Sequence, residues 1–281
     1  MFDIFRYTIP LDDWIAYGVD WLVGNFRPQF QAIKMPIQWM LNGINDLLLW
    51  LPPEIVLVLF LIGGWRAAGW KVGVFSFISM GFIGMIGLWG ETMTTLAMVI
   101  SAVVVCVLIG VPLGILSSRS DRFASSLRPI LDAMQTTPAF VYLVPVVMLF
   151  SIGTVAGVIA TIIFSMPPII RLTNLGIRQV HPELIEATYS FGATRSQVLW
   201  KVQIPLALTT IMAGLNQTIM LSLSMVVIAS LIGAGGLGVP VFEGLNSLQV
   251  GLAGIGGLGI VLMAMVLDRI TQALGQTKYD E

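Results

Sequence analysis

The stretch TMTTLAMVISAVVVCVLIGVPLGIL, residues 92–116, decides the fold class of this chain. It contains no Asp, Glu, Lys or Arg, and its apolar residues run on without alternating with polar ones. About 20 apolar residues in a helix cross the hydrocarbon layer of a bilayer, whereas the strands of membrane barrels alternate between apolar and polar side chains. The stretch therefore predicts a transmembrane α-helix.

The composition extends this prediction to the whole chain. It is 57% hydrophobic and 10% charged, against about 25% charged residues in a typical soluble domain. Because backbone groups in lipid must be bonded within helices or closed barrels, we expect an all-α polytopic membrane protein. With residues 92–116, six further segments give about seven predicted spans: residues 55–65, 72–89, 129–150, 152–170, 206–232 and 250–267. The segment 55–65 reaches spanning length only with its flanks.

The basic residues predict the orientation of the chain, because Lys and Arg near short loops stay on the cytoplasmic side of a membrane. Eleven of the 14 Lys and Arg residues fall in alternate gaps between predicted spans or in the C-terminal tail. Seven spans then place the C-terminus in the cytoplasm and the N-terminus outside. The remaining three, Arg6, Arg27 and Lys34, lie in the outer tail, whose five Asp residues make it net acidic.

The outer tail, residues 1–53, contains a pattern typical of an amphipathic helix. Between residues 36 and 50, apolar side chains recur at helical spacing opposite Gln38, Asn42 and Asn45. Such a helix either lies on the outer membrane surface or packs on other helices of the chain. The sequence leaves both alternatives open.

Several kinds of chemistry have no candidate residues in this chain. Cys106 is the single cysteine and His181 the single histidine, so we expect no disulfide, metal site or catalytic centre. GAGGLG, residues 233–238, has G-x-G-x-x-G spacing but lacks the strand and acidic residue of a dinucleotide site, and no P-loop occurs. We therefore expect no bound cofactor and no nucleic-acid partner. The glycines, Gly233, Gly235, Gly236 and Gly238, instead predict a sharp turn near the outer mouth.

Charged residues within the predicted spans are few. Asp132 and Asp268 lie near cytoplasmic ends, where each can reach water or pair with an arginine such as Arg128 or Arg269. A proton relay is therefore poorly supported, and the energy for any transport is expected from elsewhere.

Uncharged polar residues within the spans have two open interpretations: they line a translocation path, or they form hydrogen bonds between helices. The candidates for a path are Gln135, Thr136, Asn216, Gln217, Ser222 and Ser224.

The stretch PELIEATYSFGATRSQVLWKVQIP, residues 182–205, is polar enough to lie outside the membrane. Pro182 suits a first helical turn, and the first helix is expected to end near Gly192. Thr194 and Gln197 have the spacing of a capping box for a second short helix, with Pro205 marking the exit to the next span. We expect two short helices on the cytoplasmic surface, which serve either as a connector or as a docking site for a soluble partner.

The same stretch resembles the cytoplasmic "EAA" motif of binding-protein-dependent ABC importer permeases, E-A-A, x3, G, x9, I-x-L-P. Glu186, Ala187, Gly192 and Pro205 match it, while Thr188, Val202 and Ile204 are conservative departures. The resemblance implies that this loop holds the coupling helix, which docks on a cytoplasmic ATPase.

Other stretches are similar to the subgroup that imports glycine betaine, proline betaine or choline. They are MQTTPAFVYLVPVVMLFSIG, PPIIRLTNLGIRQV, IGAGGLG and IPLDDWIAYGVDWLVGNFRP. The resemblance implies a homodimer with two ATPase subunits that use ATP and Mg²⁺ and an extracytoplasmic binding protein, in the bacterial cytoplasmic membrane. This chain itself would not be an enzyme.

The resemblance also divides the chain into four expected parts. Residues 1–53 form the outer tail, and 54–90 two accessory transmembrane helices. Residues 91–275 form a type I importer core of five transmembrane helices, with the coupling loop at 173–205, and 276–281 form a cytoplasmic tail. An ABC permease for another small solute such as an amino acid, an ion-coupled secondary carrier and an intramembrane enzyme are the alternatives. The last lacks a visible catalytic site.

Overall fold

The computed structural model describes residues 10–276, and all the regular elements in that range are helical. The predicted all-α fold is confirmed. The helices are α1 Leu11–Trp50, α2 Pro53–Ala68, α3 Trp70–Met85, α4 Trp89–Arg119, α5 Asp121–Thr136, α6 Leu143–Phe150, α7 Thr154–Arg178, α8 Pro182–Ser190, α9 Arg195–Val198, α10 Ile204–Ala229, α11 Gly238–Asn246 and α12 Val250–Gln276. Arg6, Lys278 and all but the first residue of the expected tail 276–281 lie outside the described residues.

Four helices of the described chain are long and apolar enough to cross a membrane alone: α4, α7, α12 and the continuous helix Arg195–Ile232 that contains α10. Counting each of two bent pairs as one span raises the number to six. The apolar helix α3 is shorter, with 16 residues. The seven predicted segments thus all fall on helices. However, 55–65 and 129–150 belong to the bent pairs, and 72–89 corresponds to the short helix α3.

The predicted span 129–150 falls on a bent pair of helices and not on one straight helix. Helix α5 ends at Thr136, and the chain turns by 105° before it continues as Ala139–Phe150. Pro138 explains the break, because the residue before a proline is pushed out of the helical region. Thr137 accordingly has an extended backbone, with φ −70° and ψ 126°.

The long helix α1 has two different halves. From Phe30 onward it packs on α4 and α6: Leu41 is buried, the Phe30 ring meets Phe150 edge-on at 5.6 Å, and Lys34 Nζ donates to the Phe150 carbonyl at 2.9 Å. Residues 11–29 are largely exposed. The segment 36–50, predicted as an amphipathic helix, belongs to the packed half, which supports the packing alternative there.

Helix α7 lies at the centre of the fold, between α4 and α10. Glycines let the three backbones approach closely. A Cβ on Gly114 of α4 would lie 2.5 Å from Thr173 Cβ, and one on Gly176 of α7 would lie 2.9 Å from Thr210 Cβ. At these crossings, no side chain larger than hydrogen fits without moving a helix.

Small polar groups join the same three helices in the core. Ser222 Oγ of α10 donates to Ser165 Oγ of α7 at 3.0 Å, and Ser165 Oγ lies 3.6 Å from Cys106 Sγ of α4. The single Ser222 hydroxyl proton is shared between Ser165 Oγ and the Thr218 carbonyl, and the Ser165 hydroxyl donates to the Thr161 carbonyl. These bonds satisfy hydroxyl groups that would otherwise be unpaired in an apolar interior.

The α4–α7 crossing generates the first prediction. We expect Gly114→Ala to lower the free energy of unfolding by about 1–3 kcal/mol, because the added methyl group overpacks a site bounded by Thr173 and the Ile170 carbonyl. Thermal unfolding of the purified protein in detergent measures the change. Gly257→Ala in α12 is the matched control, since its Cβ would meet nothing within 4 Å. Equal unfolding midpoints for the two variants would contradict the packing argument.

Candidate functional site

Helix α8 is a short helix on the surface of the molecule, between α7 and α9. None of its residues is buried, Pro182 occupies its first turn, and Glu183 lies near its positive end. Proline suits the first turn because an N–H there would have no partner inside the helix. The acidic side chain of Glu183 is stabilised by the positive end of the helix dipole. The sequence therefore stabilises a helix that has little packing of its own.

Helix α8 ends at Ser190, near Gly192 as predicted, and a turn follows at this glycine. Its φ is +80°, its N–H donates to the Tyr189 carbonyl at 2.9 Å, and the Ala193 N–H donates to the Thr188 carbonyl at 3.3 Å. A Cβ at Gly192 would meet nothing within 4 Å. The backbone conformation, and not crowding, is what requires glycine here.

The predicted capping box after this turn is confirmed. The Thr194 N–H donates to Gln197 Oε1 at 2.8 Å, and the Gln197 N–H donates to Thr194 Oγ1 at 3.4 Å. Two backbone donors that have no partner inside the helix are thereby satisfied.

The second short helix is not a separate element, and this corrects the prediction of two short helices. Helix α9 passes through a π turn, Leu199–Gln203, directly into α10, so that Arg195–Ile232 is one helix of 38 residues. Pro205 has no N–H and its ring would clash with the carbonyl four residues earlier in a regular helix. The π turn widens the helix just before this point, where the Ile204 N–H bonds to the Leu199 carbonyl.

The residues of the EAA-like motif lie around two grooves beside α8. Ala187, Thr188, Val202 and Pro205 line a groove of about 410 Å³, whose rim carries Phe191. The Phe191 side chain is 92% exposed. Glu186 lines a separate cavity of about 280 Å³ together with Arg119, Arg178 and Gln203, while Ile204 is half-buried at the base of α10. An exposed aromatic ring beside an apolar groove is typical of a protein-binding surface.

Two ion pairs join α5 to α7 at the same end of the molecule. Arg171 bonds to Asp132 at 2.6 Å and Arg178 to Asp121 at 2.7 Å, across a cleft of about 630 Å³. Arg178 also donates to Asn174 Oδ1 and to the Ser117 carbonyl. The partner of Asp132 is therefore Arg171 and not Arg128, which sequence proximity alone had suggested.

The structure separates the six candidate path residues into two groups. Asn216 and Ser222 bond to neighbouring helices: Asn216 Nδ2 donates to Asp268 Oδ1 at 3.1 Å, and Ser222 Oγ to Ser165 Oγ at 3.0 Å. The other four side chains are exposed on the surface of the chain: Gln135, Thr136, Gln217 and Ser224.

Four of the exposed residues of α10 lie on one face of that helix. Thr209, Ala213, Gln217 and Ser224 recur at spacings of four, four and seven, and each is exposed. A face turned to lipid tails is normally apolar, since polar groups within the membrane face protein or water. This face therefore suits a water-filled path or contact with another chain.

The glycine-rich turn connects α10 to α11. Gly233, Gly235 and Gly236 all have positive φ, and Gly238 begins α11 with no room for a Cβ beside Ser230 Oγ. The Leu237 N–H donates to Thr95 Oγ1 of α4 at 2.8 Å. This bond fixes the turn against the first part of α4.

A sequence profile of the family described as binding-protein-dependent transport system inner membrane component matches residues 110–277. The chain belongs to this family. The match covers α7, α8, α9 and α10, and hence the exposed turn at Gly192.

Similar curated proteins are permeases of the same family. The glycine betaine/proline betaine transport system permease protein ProW of Escherichia coli is 56% identical over 98% of this chain and 78% of its own length. The glycine betaine transport system permease protein OpuAB of Bacillus subtilis is 45% identical over 94% of both chains. Among solved structures, an inward-facing MetNI methionine ABC transporter matches with a TM-score of 0.58 and 24% identity, over 69% of this chain and 97% of that one. The structural match shows the shared permease fold.

The Gly192 turn of this permease generates the second prediction. We expect Gly192→Val to speed hydrogen exchange of the amides between residues 189 and 198, because a side chain in left-handed conformation costs about 1–2 kcal/mol. Exchange measured by mass spectrometry reports the local opening. Gly192→Asn is the control, since asparagine tolerates this conformation. Equal protection in glycine, valine and asparagine forms would contradict a role for the positive φ.

Proposed function

We propose that this permease is the transmembrane subunit of an ATP-driven importer of quaternary ammonium solutes, namely glycine betaine, proline betaine or choline. The observation that carries the proposal is the 56% identity, over 98% of this chain, to a glycine betaine/proline betaine permease. A choline transport system permease of Bacillus subtilis, 34% identical over 60% of the chain, supports the wider substrate class. These solutes share a permanently charged trimethylated or cyclic ammonium group.

The proposed assembly is a homodimer of this chain with two cytoplasmic ATPase subunits and an extracytoplasmic binding protein. The chain contains no P-loop, so ATP and Mg²⁺ would be bound by the partner subunits. The distribution of Lys and Arg supports an orientation in the bacterial cytoplasmic membrane with the N-terminus outside and α8 inside. The proposal includes the division of the chain into an outer tail (1–53), two accessory helices (54–90) and an importer core (91–275).

The coupling surface is α8 with the Gly192 turn and the beginning of α9. Phe191 would enter a groove of the ATPase, with Glu186, Ala187 and Thr188 on the docked helix. Because α9 continues into α10, closure of the ATPases would move the long helix Arg195–Ile232 with it. This movement would alternate the access of a central path between the two sides of the membrane.

The path would lie along the exposed face of α10, where two copies of the chain meet. Gln217 and Ser224 would line it, and Gln135 and Thr136 at the end of α5 would border its cytoplasmic side. Asn216 and Ser222 would hold α10 against its neighbours and not contact the solute directly, which their hydrogen bonds support. The outer turn at Gly233, Gly235, Gly236 and Gly238 would border the opposite mouth.

Uptake by proteoliposomes tests the proposed function. We expect radiolabelled glycine betaine to accumulate when the permease, the ATPase, the binding protein and lumenal ATP are all present, and to stay outside when ATP is omitted. Uptake by the permease alone under an ion gradient would instead establish a secondary carrier. No uptake of any quaternary ammonium solute by the complete assembly would reject the substrate class.

The proposed docking of α8 generates a prediction for Phe191. We expect Phe191→Ala to weaken binding of the ATPase about tenfold, because buried aromatic anchors often contribute more than 1 kcal/mol to an interface. Co-purification and titration of labelled ATPase against the permease measure the affinity. Phe191→Leu, which keeps an apolar side chain, is expected to retain most of the binding. Normal affinity with alanine would place the docking surface elsewhere.

A further inference from the structure

Helices α5 and α7 lie side by side at the end of the molecule that carries α8, with an open cleft of about 630 Å³ between them. Two ion pairs join the helices at the limits of this cleft. Asp121 and Asp132 are the first and last residues of α5 that line it, and they pair with Arg178 and Arg171 of α7. The two carboxylates are about 16 Å apart along α5. The ion pairs therefore hold the two helices at both ends of the space between them.

The length of the apolar part of α7 places this cleft at the edge of the membrane. Residues 154–170 contain no Asp, Glu, Lys or Arg, and in a helix they are about 26 Å long. The hydrocarbon layer is about 30 Å thick, and the headgroup regions add about 5–7 Å on each side. Arg171 follows the apolar residues directly, and Arg178 lies about 10 Å further along the helix. The cleft is therefore at the level of the lipid headgroups, on the side that the proposed orientation assigns to the cytoplasm.

The residues that line the cleft carry a net positive charge. Three arginines line it, Arg128, Arg171 and Arg178, against the two aspartates that pair with the last two of them. The side chains of Asp121 and Asp132 are 88% and 54% exposed, whereas those of Arg171 and Arg178 are each 39% exposed. Water and salt screen an exposed charge more strongly than a partly buried one. The electrostatic potential inside the cleft is therefore positive.

The arginines can bind an anion in addition to the aspartates. A guanidinium group has five N–H donors, of which a carboxylate takes at most two in a bidentate pair. Arg171 Nη2 donates to Asp132 Oδ1 at 2.6 Å. Arg128 lies four residues before Asp132 on the same face of α5, so both arginines border the same part of the cleft. Their planar donor groups match the oxygens of a phosphate.

Apolar side chains lie in the same cleft as the arginines. Leu131 and Ile170 line it and are buried, and Leu175, which also lines it, is 44% exposed. A soluble anion makes no use of such side chains, whereas an acyl chain that covers them removes apolar surface from water. A phospholipid presents a phosphate at the headgroup level and acyl chains directly beside it. Basic pockets between membrane helices on the cytoplasmic side suit the headgroups of anionic lipids.

We propose that the cleft between α5 and α7 binds an anionic phospholipid of the inner leaflet, with its phosphate between Arg128 and Arg171 and an acyl chain against Leu131 and Leu175. The phosphate adds a third contact between the two helices, within the length that the ion pairs enclose. A zwitterionic lipid binds less tightly, because its ammonium group meets positive potential. The inference uses the proposed orientation for the choice of leaflet and is independent of the transported solute.

Thermal unfolding of the purified full-length permease in detergent micelles with added lipid tests the site. Relative to phosphatidylcholine at the same concentration, phosphatidylglycerol is expected to raise the unfolding midpoint, since a ligand that binds the folded state stabilises it. We expect Arg128→Gln to weaken the apparent affinity for phosphatidylglycerol about tenfold, because the substitution removes one charge beside the phosphate. Arg128→Lys keeps the charge and is expected to retain most of the shift.

Arg122→Gln is the matched control, since Arg122 is exposed on another face of the same helix. It is expected to keep the phosphatidylglycerol shift. Equal losses in Arg122→Gln and Arg128→Gln would indicate a general attraction of anionic lipid to basic residues and overturn the site. A merely structural role of Arg128 predicts a lower midpoint with both lipids and an unchanged difference between them, which would also overturn it. So would the absence of a difference between the two lipids in wild type.

Two further probes identify the source and the place of the bound phosphate. Inorganic phosphate is expected to leave the midpoint unchanged, and a shift equal to that of phosphatidylglycerol would overturn the lipid assignment. Phosphatidylglycerol with a photoreactive group near the headgroup is expected to crosslink to peptides that cover residues 121–132 and 170–178, and to do so less in Arg128→Gln. Crosslinks confined to other segments would overturn the site.

None of these measurements requires transport, so the lipid site and the proposed function can fail separately. If the complete assembly takes up glycine betaine but wild type shows no preference for phosphatidylglycerol, the site is rejected while the function stands. If wild type shows the preference and loses it in Arg128→Gln, but the assembly takes up no quaternary ammonium solute, the function is rejected while the site stands.

Discussion

The close approach of α7 to both α4 and α10 is the constraint on which the rest of the structure depends. Lipid tails are as apolar as leucine side chains, so membrane helices associate through close packing and hydrogen bonds and not through the hydrophobic effect. Gly114 and Gly176 allow that approach. Ser165 of α7 accepts a hydrogen bond from Ser222 of α10 and also contacts Cys106 of α4. With these contacts in place, the rotation of α10 is determined, and so is the set of side chains that it presents outward.

The sequence predicted the helices well and their continuity poorly. Apolar runs and the Gly192 and Thr194 signals depend on local chemistry, which is why the end of α8 and its following cap were correct. The effect of a proline depends on what surrounds it. Pro138 follows the end of α5, and Pro205 follows a π turn that lets the helix continue. Pro167 and Pro168 lie inside α7, which is not interrupted there. A proline leaves a carbonyl of the preceding turn without its hydrogen bond, and a neighbouring helix can supply another donor. Which helices are neighbours cannot be read from the sequence.

The polar residues of α10 show the same limit at the level of the site. Ser222 and Ser224 are two positions apart and chemically identical, yet one is buried against Ser165 and the other is exposed. The two side chains point in directions about 200° apart around the helix axis. Which of the two directions faces α7 is decided by the packing of α10 on α7. Likewise, Asp132 reaches Arg171 across helices, although Arg128 is closer in sequence. The sequence predicted which polar residues α10 contains, but not which of them are exposed and which bond to neighbouring helices.

The π turn at Leu199–Gln203 has a mechanical consequence. It keeps the short segment Arg195–Val198 and the apolar segment of α10 in one helix of 38 residues, about 57 Å long, so the two ends act as the arms of a lever. A tilt of about 5° around the middle of such a rod displaces each end by about 2.5 Å, in opposite directions. The far arm ends at Gly233, where the following turn is bonded to α4 through Leu237 and Thr95. A small displacement of the Arg195 end therefore acts on the turn that is bonded to α4, with no relay of side chains between them.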